Sequence, residues 1–303
     1  MRVGIIGMGW VGSSVAISTL HAGVARELLL HDVREGLAEG EAMDLAHGAS
    51  FYPSARVRAV PLEAMRETDA VVIAAGRGGT ADEDRLALLR DNVAIVRGIG
   101  EALRGYGGLV VVVTNPVDVL TRVVFEASEL PPSRVLGTGT LLDTARLRQA
   151  LGEELDLDPR SVHAQVVGEH GDSEVVLWSS AKVGGRPLRA WPGFDRWREP
   201  EIATRVRRAA YEIIARKGAT NHAIGLVTAH LLTWALRGSR RVLTVSRVQD
   251  AGLGFDGVAL SLPTIVGHGG AEEVVAPAMD DAEREALERS ADVLRRAHAD
   301  ATG

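Results

Sequence analysis

The chain has 303 residues, of which 46% are hydrophobic, and it carries a formal net charge of -6 at pH 7. This size and apolar content predict a large core and favour two domains that share a cleft. The acidic balance, with no basic run longer than two arginines, argues against a nucleic-acid partner, and the lack of cysteine excludes disulfides and thiolate chemistry.

Membrane insertion is also disfavoured by the sequence, because its apolar runs are far shorter than a bilayer span. The first residues enter a strand directly, without the charged and apolar regions of a signal peptide. We therefore expect a cytoplasmic protein.

The first half alternates short β-branched runs with helical stretches. This rhythm predicts an α/β fold with a doubly wound parallel sheet, the Rossmann arrangement. The predicted strands are 3–6, 28–30, 57–60, 70–75, 109–113 and 135–137.

The second half has a different pattern, in which strand-like runs are mixed with long amphipathic helices. Predicted strands are 162–167, 174–179, 242–248 and 258–262, and predicted helices are 201–216, 220–236 and 282–297. We place a boundary near Leu141, which gives a dinucleotide-binding domain at 1–140 and an α+β domain at 141–303.

A glycine pattern follows the first predicted strand and opens a helical run. Gly7 permits a tight turn, Gly9 lets the backbone approach a pyrophosphate, and Gly12 lets helix and strand pack closely. Asp32 follows the second strand, 20 residues after Gly12, where a carboxylate holds the ribose hydroxyls of a dinucleotide. Since Asp32 would repel a 2'-phosphate, the predicted cofactor is NAD.

Reduction of a ketone by hydride leaves an alkoxide, which requires a proton donor, a cation for a substrate carboxylate and a group that polarises the carbonyl. His170 follows a predicted strand, and Arg85 lies in another segment. Asp143 and Arg146 are three residues apart on a predicted helix and share a face. Asp143 could orient His170, and Arg146 could grip a carboxylate with two parallel bonds.

The sequence resembles the L-lactate and malate dehydrogenase superfamily over almost its whole length. The most specific matches are 114–118 (TNPVD), 139–146 (GTLLDTAR) and 168–173 (GEHGDS). The resemblance implies that His170 is the acid/base, Asp143 its orienter, Arg146 the carboxylate clamp and Arg85 the carbonyl polariser on a mobile loop. It also implies that Asn115, before a cis proline bond, contacts nicotinamide and substrate.

Two segments depart from the pattern of lactate enzymes. In the closing loop, residues 77–84, Gly79 stands where the resemblance implies a side chain that reads the substrate. Beside Thr220, which matches a residue flanking the substrate pocket, Asn221 and His222 replace an aromatic pair. Gly79 leaves space that favours 2-oxo acids larger than pyruvate, and Asn221 and His222 would tolerate a polar group on such a side chain.

The resemblance to bacterial L-lactate dehydrogenases further implies a homotetramer and a fructose 1,6-bisphosphate site at Arg148 and His163. An ordinary exposed arginine and strand histidine are the alternative. For the whole chain, two other functions stay open. One is a malate dehydrogenase in which Arg77 reaches a second substrate carboxylate, and the other is a catalytically silent NAD-binding regulator. The histidines show no metal-ligand spacing, so no metal is expected.

Overall fold

The computed structural model describes residues 1–79, 85–250 and 252–303. The side chain of Arg85 lies outside this description, as do residues 80–84 of the predicted closing loop. In the first half, the strands are β1 (Arg2–Ile6), β2 (Glu27–His31), β3 (Arg56–Ala59), β4 (Ala70–Ile73), β5 (Leu109–Val112) and β6 (Val135–Gly137).

These strands form a parallel sheet in the order β3-β2-β1-β4-β5-β6. Alternate residues of β4 enter two different hydrophobic cores, with Ile73 in one and Val72 in the other. Both faces of the sheet are therefore covered, as expected for strands that are apolar at every position. The predicted doubly wound sheet is confirmed.

The helices of the described chain lie on both sides of this sheet or in the second half. They are α1 (Trp10–Ala22), α2 (Glu35–His47), α3 (Arg85–Ala102), α4 (Val117–Ser128), α5 (Leu141–Leu155), α6 (Glu199–Lys217), α7 (His222–Leu236) and α8 (Asp281–Thr302). The last three confirm the predicted helices of the second half. No helix in the described ranges has the length and apolar character needed to span a bilayer.

In the described residues the second half forms eight strands, of which only the last three join the same sheet. In chain order they are β7 (Val162–His163), β8 (Val166–Val167), β9 (Val175–Val176), β10 (Lys182–Val183), β11 (Arg186–Pro187), β12 (Arg241–Val248), β13 (Ala259–Gly267) and β14 (Gly270–Val274). Antiparallel β12 joins β6 through Ser246 and Gly137, and β13 and β14 follow it. The main sheet thus continues past residue 140.

The prediction of one strand over 162–167 was wrong. This segment divides into β7, which pairs with β10, and β8, which pairs with β9, so the two pieces belong to different small sheets. Similarly, only Val175 and Val176 of the predicted strand 174–179 are extended in a ladder. A short apolar run satisfies either arrangement locally, and only the available pairing partners decide between them.

Candidate active site

The candidate site lies at the carboxyl edge of the parallel sheet, where ligands bind in open α/β folds. The glycine loop follows β1, Asp32 follows β2 and Asn115 follows β5, while α5 begins shortly after β6. At this edge the Thr114 hydroxyl donates a 2.7 Å hydrogen bond to the Ala75 carbonyl, which joins the segments after β5 and β4.

The glycine loop has the geometry that a pyrophosphate requires. Gly7 has φ +95°, and a Cβ on Gly12 would lie 1.8 Å from the Gly7 carbonyl oxygen. A Cβ on Gly9 would meet nothing within 4 Å, so this exposed residue leaves its backbone open at the N-terminus of α1. Backbone N–H groups and the helix dipole favour phosphate at such a place.

Asp32 fixes this loop against the end of β2. Its Oδ2 accepts a 2.8 Å hydrogen bond from the Met8 N–H, and its Oδ1 accepts one of 2.9 Å from the Arg34 N–H. Burial favours the neutral carboxyl, but these two N–H groups and the Arg34 charge hold the pKa of Asp32 below its ordinary value. A permanent negative charge at this position suits the ribose of NAD, so loop and carboxylate together fit that cofactor.

His170 and Asp143 form a close pair. His170 follows β8 and Gly168, whose pairing with Ser261 ties this segment to β13. The His170 Nδ1 lies 2.5 Å from Asp143 Oδ2, and the Asp143 side chain is 3% exposed. Burial disfavours the imidazolium, but the charge and hydrogen bond of Asp143 outweigh it and raise the pKa of His170 to about 9. The imidazole is therefore a proton donor at neutral pH.

Arg146 lies beside this pair. Its Nη1 donates a 2.7 Å hydrogen bond to Asp143 Oδ1, so Asp143 bridges Arg146 and His170. Burial disfavours the carboxylate, but these two cations lower the pKa of Asp143. A guanidinium has five N–H donors, and most of those on Arg146 stay available for a substrate carboxylate. The predicted spacing of three residues therefore brings Asp143 and Arg146 together on α5.

Two further carboxyl groups, those of Asp118 and Glu174, lie near His170. The sequence alone predicted no role for either. Asp118 Oδ2 accepts a 2.7 Å hydrogen bond from the His170 backbone N–H, and burial raises the Asp118 pKa to about 6. Glu174 is buried, and its Oε1 has no hydrogen-bond partner among the described residues. Burial and the Asp143 charge raise the pKa of Glu174 to about 8. Asp118 belongs to the TNPVD segment that carries the family resemblance. This was the only sequence feature that could have pointed to a role for Asp118.

Asn115, Thr220 and Gly79 are the other described residues that were predicted to bind the substrate. Asn115 is exposed and precedes a cis peptide bond to Pro116, as the resemblance implied. Thr220 is half-buried before α7, and Gly79 is exposed at the last described position before the gap. The role of Arg85 falls on a side chain outside the described residues.

The side chains of Arg77 and Asn221 contact other parts of the chain. Arg77 forms an ion pair of 2.5 Å with Asp91 on α3, and its backbone N–H donates to the Asn92 side chain. Asn221 Nδ2 donates a 2.9 Å hydrogen bond to Ser14 Oγ on α1. Asn221 thus ties α7 to α1.

Arg148 and His163 line a different feature, a cavity of about 910 Å³. Arg148 Nε donates a 3.1 Å hydrogen bond to the Ala164 carbonyl, and burial together with the nearby Arg241 charge lowers the pKa of Arg148. No acidic residue is among the described residues that line the cavity. The basic and histidine lining residues are Arg148, Arg160, His163, Lys182, His230 and Arg241.

The strand order, glycine loop and carboxylate after β2 define a dinucleotide-binding protein of the Rossmann class. Family models of the lactate/malate dehydrogenases match nearly the whole chain, the NAD-binding domain at residues 1–137 and the alpha/beta C-terminal domain at residues 140–302. The chain therefore belongs to the lactate/malate dehydrogenase family, and its first domain is an NAD-binding domain.

Individual relatives agree with this assignment. An L-lactate dehydrogenase of Salinibacter ruber is 46% identical, with 99% of this chain and 97% of that protein covered. One from Kosmotoga olearia is 43% identical, with coverage of 98% and 95%. The crystal structure of a minor L-lactate dehydrogenase from Enterococcus mundtii in a ligands-bound form superposes with a TM-score of 0.95 at 36% identity, covering 98% of this chain and 97% of that chain.

Proposed function

We propose that the protein is an NAD-dependent L-lactate dehydrogenase that interconverts pyruvate and L-lactate. The observation that carries the proposal is the connected set of His170, Asp143 and Arg146 at the edge of an NAD-binding sheet. Relatives named as L-lactate dehydrogenases over nearly the full length support it.

The residues divide the chemistry between them. Arg146 binds the carboxylate that pyruvate and lactate share, and the family resemblance assigns polarisation of the carbonyl to Arg85. His170 donates a proton to the carbonyl oxygen during reduction and accepts it during oxidation, while Asp143 keeps the proton on Nδ1 and stabilises the imidazolium. Asn115 holds the nicotinamide, and when bound this ring supplies or accepts the hydride.

The direct test measures NADH oxidation with pyruvate and NAD reduction with L-lactate, with D-lactate as the control for stereochemistry. We expect turnover with pyruvate and with L-lactate, and none with D-lactate. His170→Asn should lower turnover by about a hundred- to ten-thousandfold and leave NADH binding unchanged, because the cofactor loop belongs to other segments. Mutant rates within about threefold of the parent would refute the role of His170.

Malate dehydrogenase activity is the alternative within the family. It would require a cation for a second carboxylate, but the Arg77 guanidinium is paired with Asp91. We therefore expect oxaloacetate to be a poorer substrate than pyruvate. A higher kcat/KM for oxaloacetate than for pyruvate would indicate a malate dehydrogenase instead. The arrangement of His170 against Asp143 disfavours a silent regulator, which needs no such pair.

We also propose that Arg148 and His163 bind an anionic effector, fructose 1,6-bisphosphate, in a homotetramer. The cavity beside them combines its basic lining with the exposed apolar side chains of Leu226 and Val242, a mixture suited to a phosphorylated ligand held against a second copy.

The effector proposal is tested by the KM for pyruvate with and without the bisphosphate, with inorganic phosphate as the control ligand. The KM should fall with the bisphosphate, and Arg148→Gln should abolish this response, whereas Arg216→Gln, an exposed arginine on α6, should retain it. An unchanged KM at millimolar bisphosphate would refute the effector site. Light scattering of the purified protein tests the tetramer, and a monomeric mass would refute it.

A further inference from the structure

Asp118 occupies a position that links two parts of the candidate site. It lies in the first turn of α4, three residues after Asn115, and is 2% exposed. Its Oδ2 accepts the His170 N–H at 2.7 Å, across 52 residues of sequence. One short segment therefore carries Asn115, the residue proposed to contact nicotinamide, and also holds the backbone of His170.

A carboxylate is an expensive way to make this single contact. Asp118 Oδ1 has no hydrogen-bond partner in the described part of the chain, although the Ser246 hydroxyl is near enough to lower the Asp118 pKa. An asparagine of the same shape would accept the same N–H without the cost of burying a charge. The hydrogen bond alone therefore does not account for a charged residue at this position.

The Asp118 charge acts on His170 together with the other charges that face this residue. Asp143 bonds the ring, and the Asp118 charge also raises the pKa of His170, whereas Arg146 lowers it. Glu169, Asp172 and Glu174 also lie in this region, with Tyr211 donating to Asp172 and Arg207 facing Glu174. Burial raises the Asp118 pKa to about 6 and that of Glu174 to about 8. Asp118 is therefore the more readily ionised of these two carboxyl groups near neutral pH.

We propose that Asp118 is a positioning residue with two separable actions: its hydrogen bond fixes His170 relative to Asn115, and its negative charge helps to keep the imidazole protonated. The inference rests on the proposed role of His170 as the acid/base. Asp118 acts through His170 and has no direct contact with the substrate or cofactor in this proposal.

Two substitutions separate the actions. Asp118→Asn keeps an oxygen that can accept the His170 N–H but removes the charge, so the His170 pKa should fall by about one unit. The decline of kcat/KM for pyruvate reduction at high pH should move down by the same amount, with the rate near pH 6 within about threefold of the parent. Asp118→Ala also removes the acceptor, so kcat should fall by about tenfold or more at every pH.

The His170 pKa is measured by NMR titration of the imidazole in the protein without substrate, and the rates are measured from about pH 6 to about pH 10. Glu129→Gln, which neutralises an exposed carboxylate just after α4, is the matched control and should move neither quantity. NADH binding and thermal unfolding show whether each variant keeps its fold.

If Asp118→Asn does not fold, Asp118→Ser supplies a second test. It also removes the charge, so the His170 pKa should again fall by about one unit. An unmoved His170 pKa in the neutral variant that folds would overturn the electrostatic action, and a normal kcat in Asp118→Ala would overturn the positioning action. A wild-type protein that fails to reduce pyruvate would instead refute the proposed function, because the NMR titration does not depend on turnover.

Discussion

The pair of His170 and Asp143 makes a quantitative prediction for Asp143→Asn. The His170 pKa of about 9 exceeds the ordinary value of 6.5, and at 1.36 kcal/mol per unit this difference corresponds to about 3 kcal/mol. Since burial alone lowers the pKa, the variant imidazole should titrate at or below its ordinary value. At about pH 7.5 the protonated fraction should fall from nearly complete to about a tenth.

Loss of the proton alone should reduce kcat/KM for pyruvate reduction by about tenfold at that pH. The asparagine amide can also select the wrong tautomer of His170, which raises the expected total loss to about a hundred- to ten-thousandfold. The assay is the pH dependence of kcat/KM in the parent and variant. Glu153→Gln, an exposed carboxylate on the same helix, is the control and should leave the profile unchanged.

The same pair predicts how stability depends on pH. The folded-state pKa of His170 is raised, so its stabilising contribution is complete below about pH 6.5 and is lost as the pH rises through about 9. Denaturant unfolding should therefore show a decline of up to about 3 kcal/mol over this range, absent in Asp143→Asn. A variant whose activity still declines near pH 9, or whose rate at about pH 7.5 is within threefold of the parent, would refute the reasoning.

The remaining predictions concern the cofactor loop and the substrate. Gly12→Ala would place a Cβ 1.8 Å from the Gly7 carbonyl oxygen, so the loop must shift, and NADH titration should show affinity weakened by about tenfold or more. Arg146→Lys should raise the KM for pyruvate by about tenfold or more because the planar fork is lost, and an unaltered KM would place the carboxylate elsewhere. Because Gly79 supplies no side chain, 2-oxobutyrate and 2-oxoisocaproate should rival pyruvate in kcat/KM, each well-packed methylene contributing about 0.8 kcal/mol. A preference of about tenfold for pyruvate over both would refute the open pocket.

Much of this protein is determined by local sequence. Apolar runs of four or five residues between helical stretches predict buried parallel strands, and the glycine spacing with Asp32 predicts the dinucleotide loop, because both signals lie within one structural unit. Asp143 and Arg146 meet because three residues on a helix bring side chains to one face. These features needed no knowledge of the rest of the chain.

The tertiary structure alone decided the contacts between distant segments. The pairing of Ser246 with Gly137, which carries the sheet into the second half, has no local signal, and the division of 162–167 depends on which strands are available to pair. The hydrogen bond from the His170 N–H to Asp118 is of the same kind, since a carboxylate in a helical turn gives no indication of the backbone it will meet. Local periodicity determines the type of an element, but the burial of Asp118 and the charges around His170 arise only when segments far apart in sequence pack together.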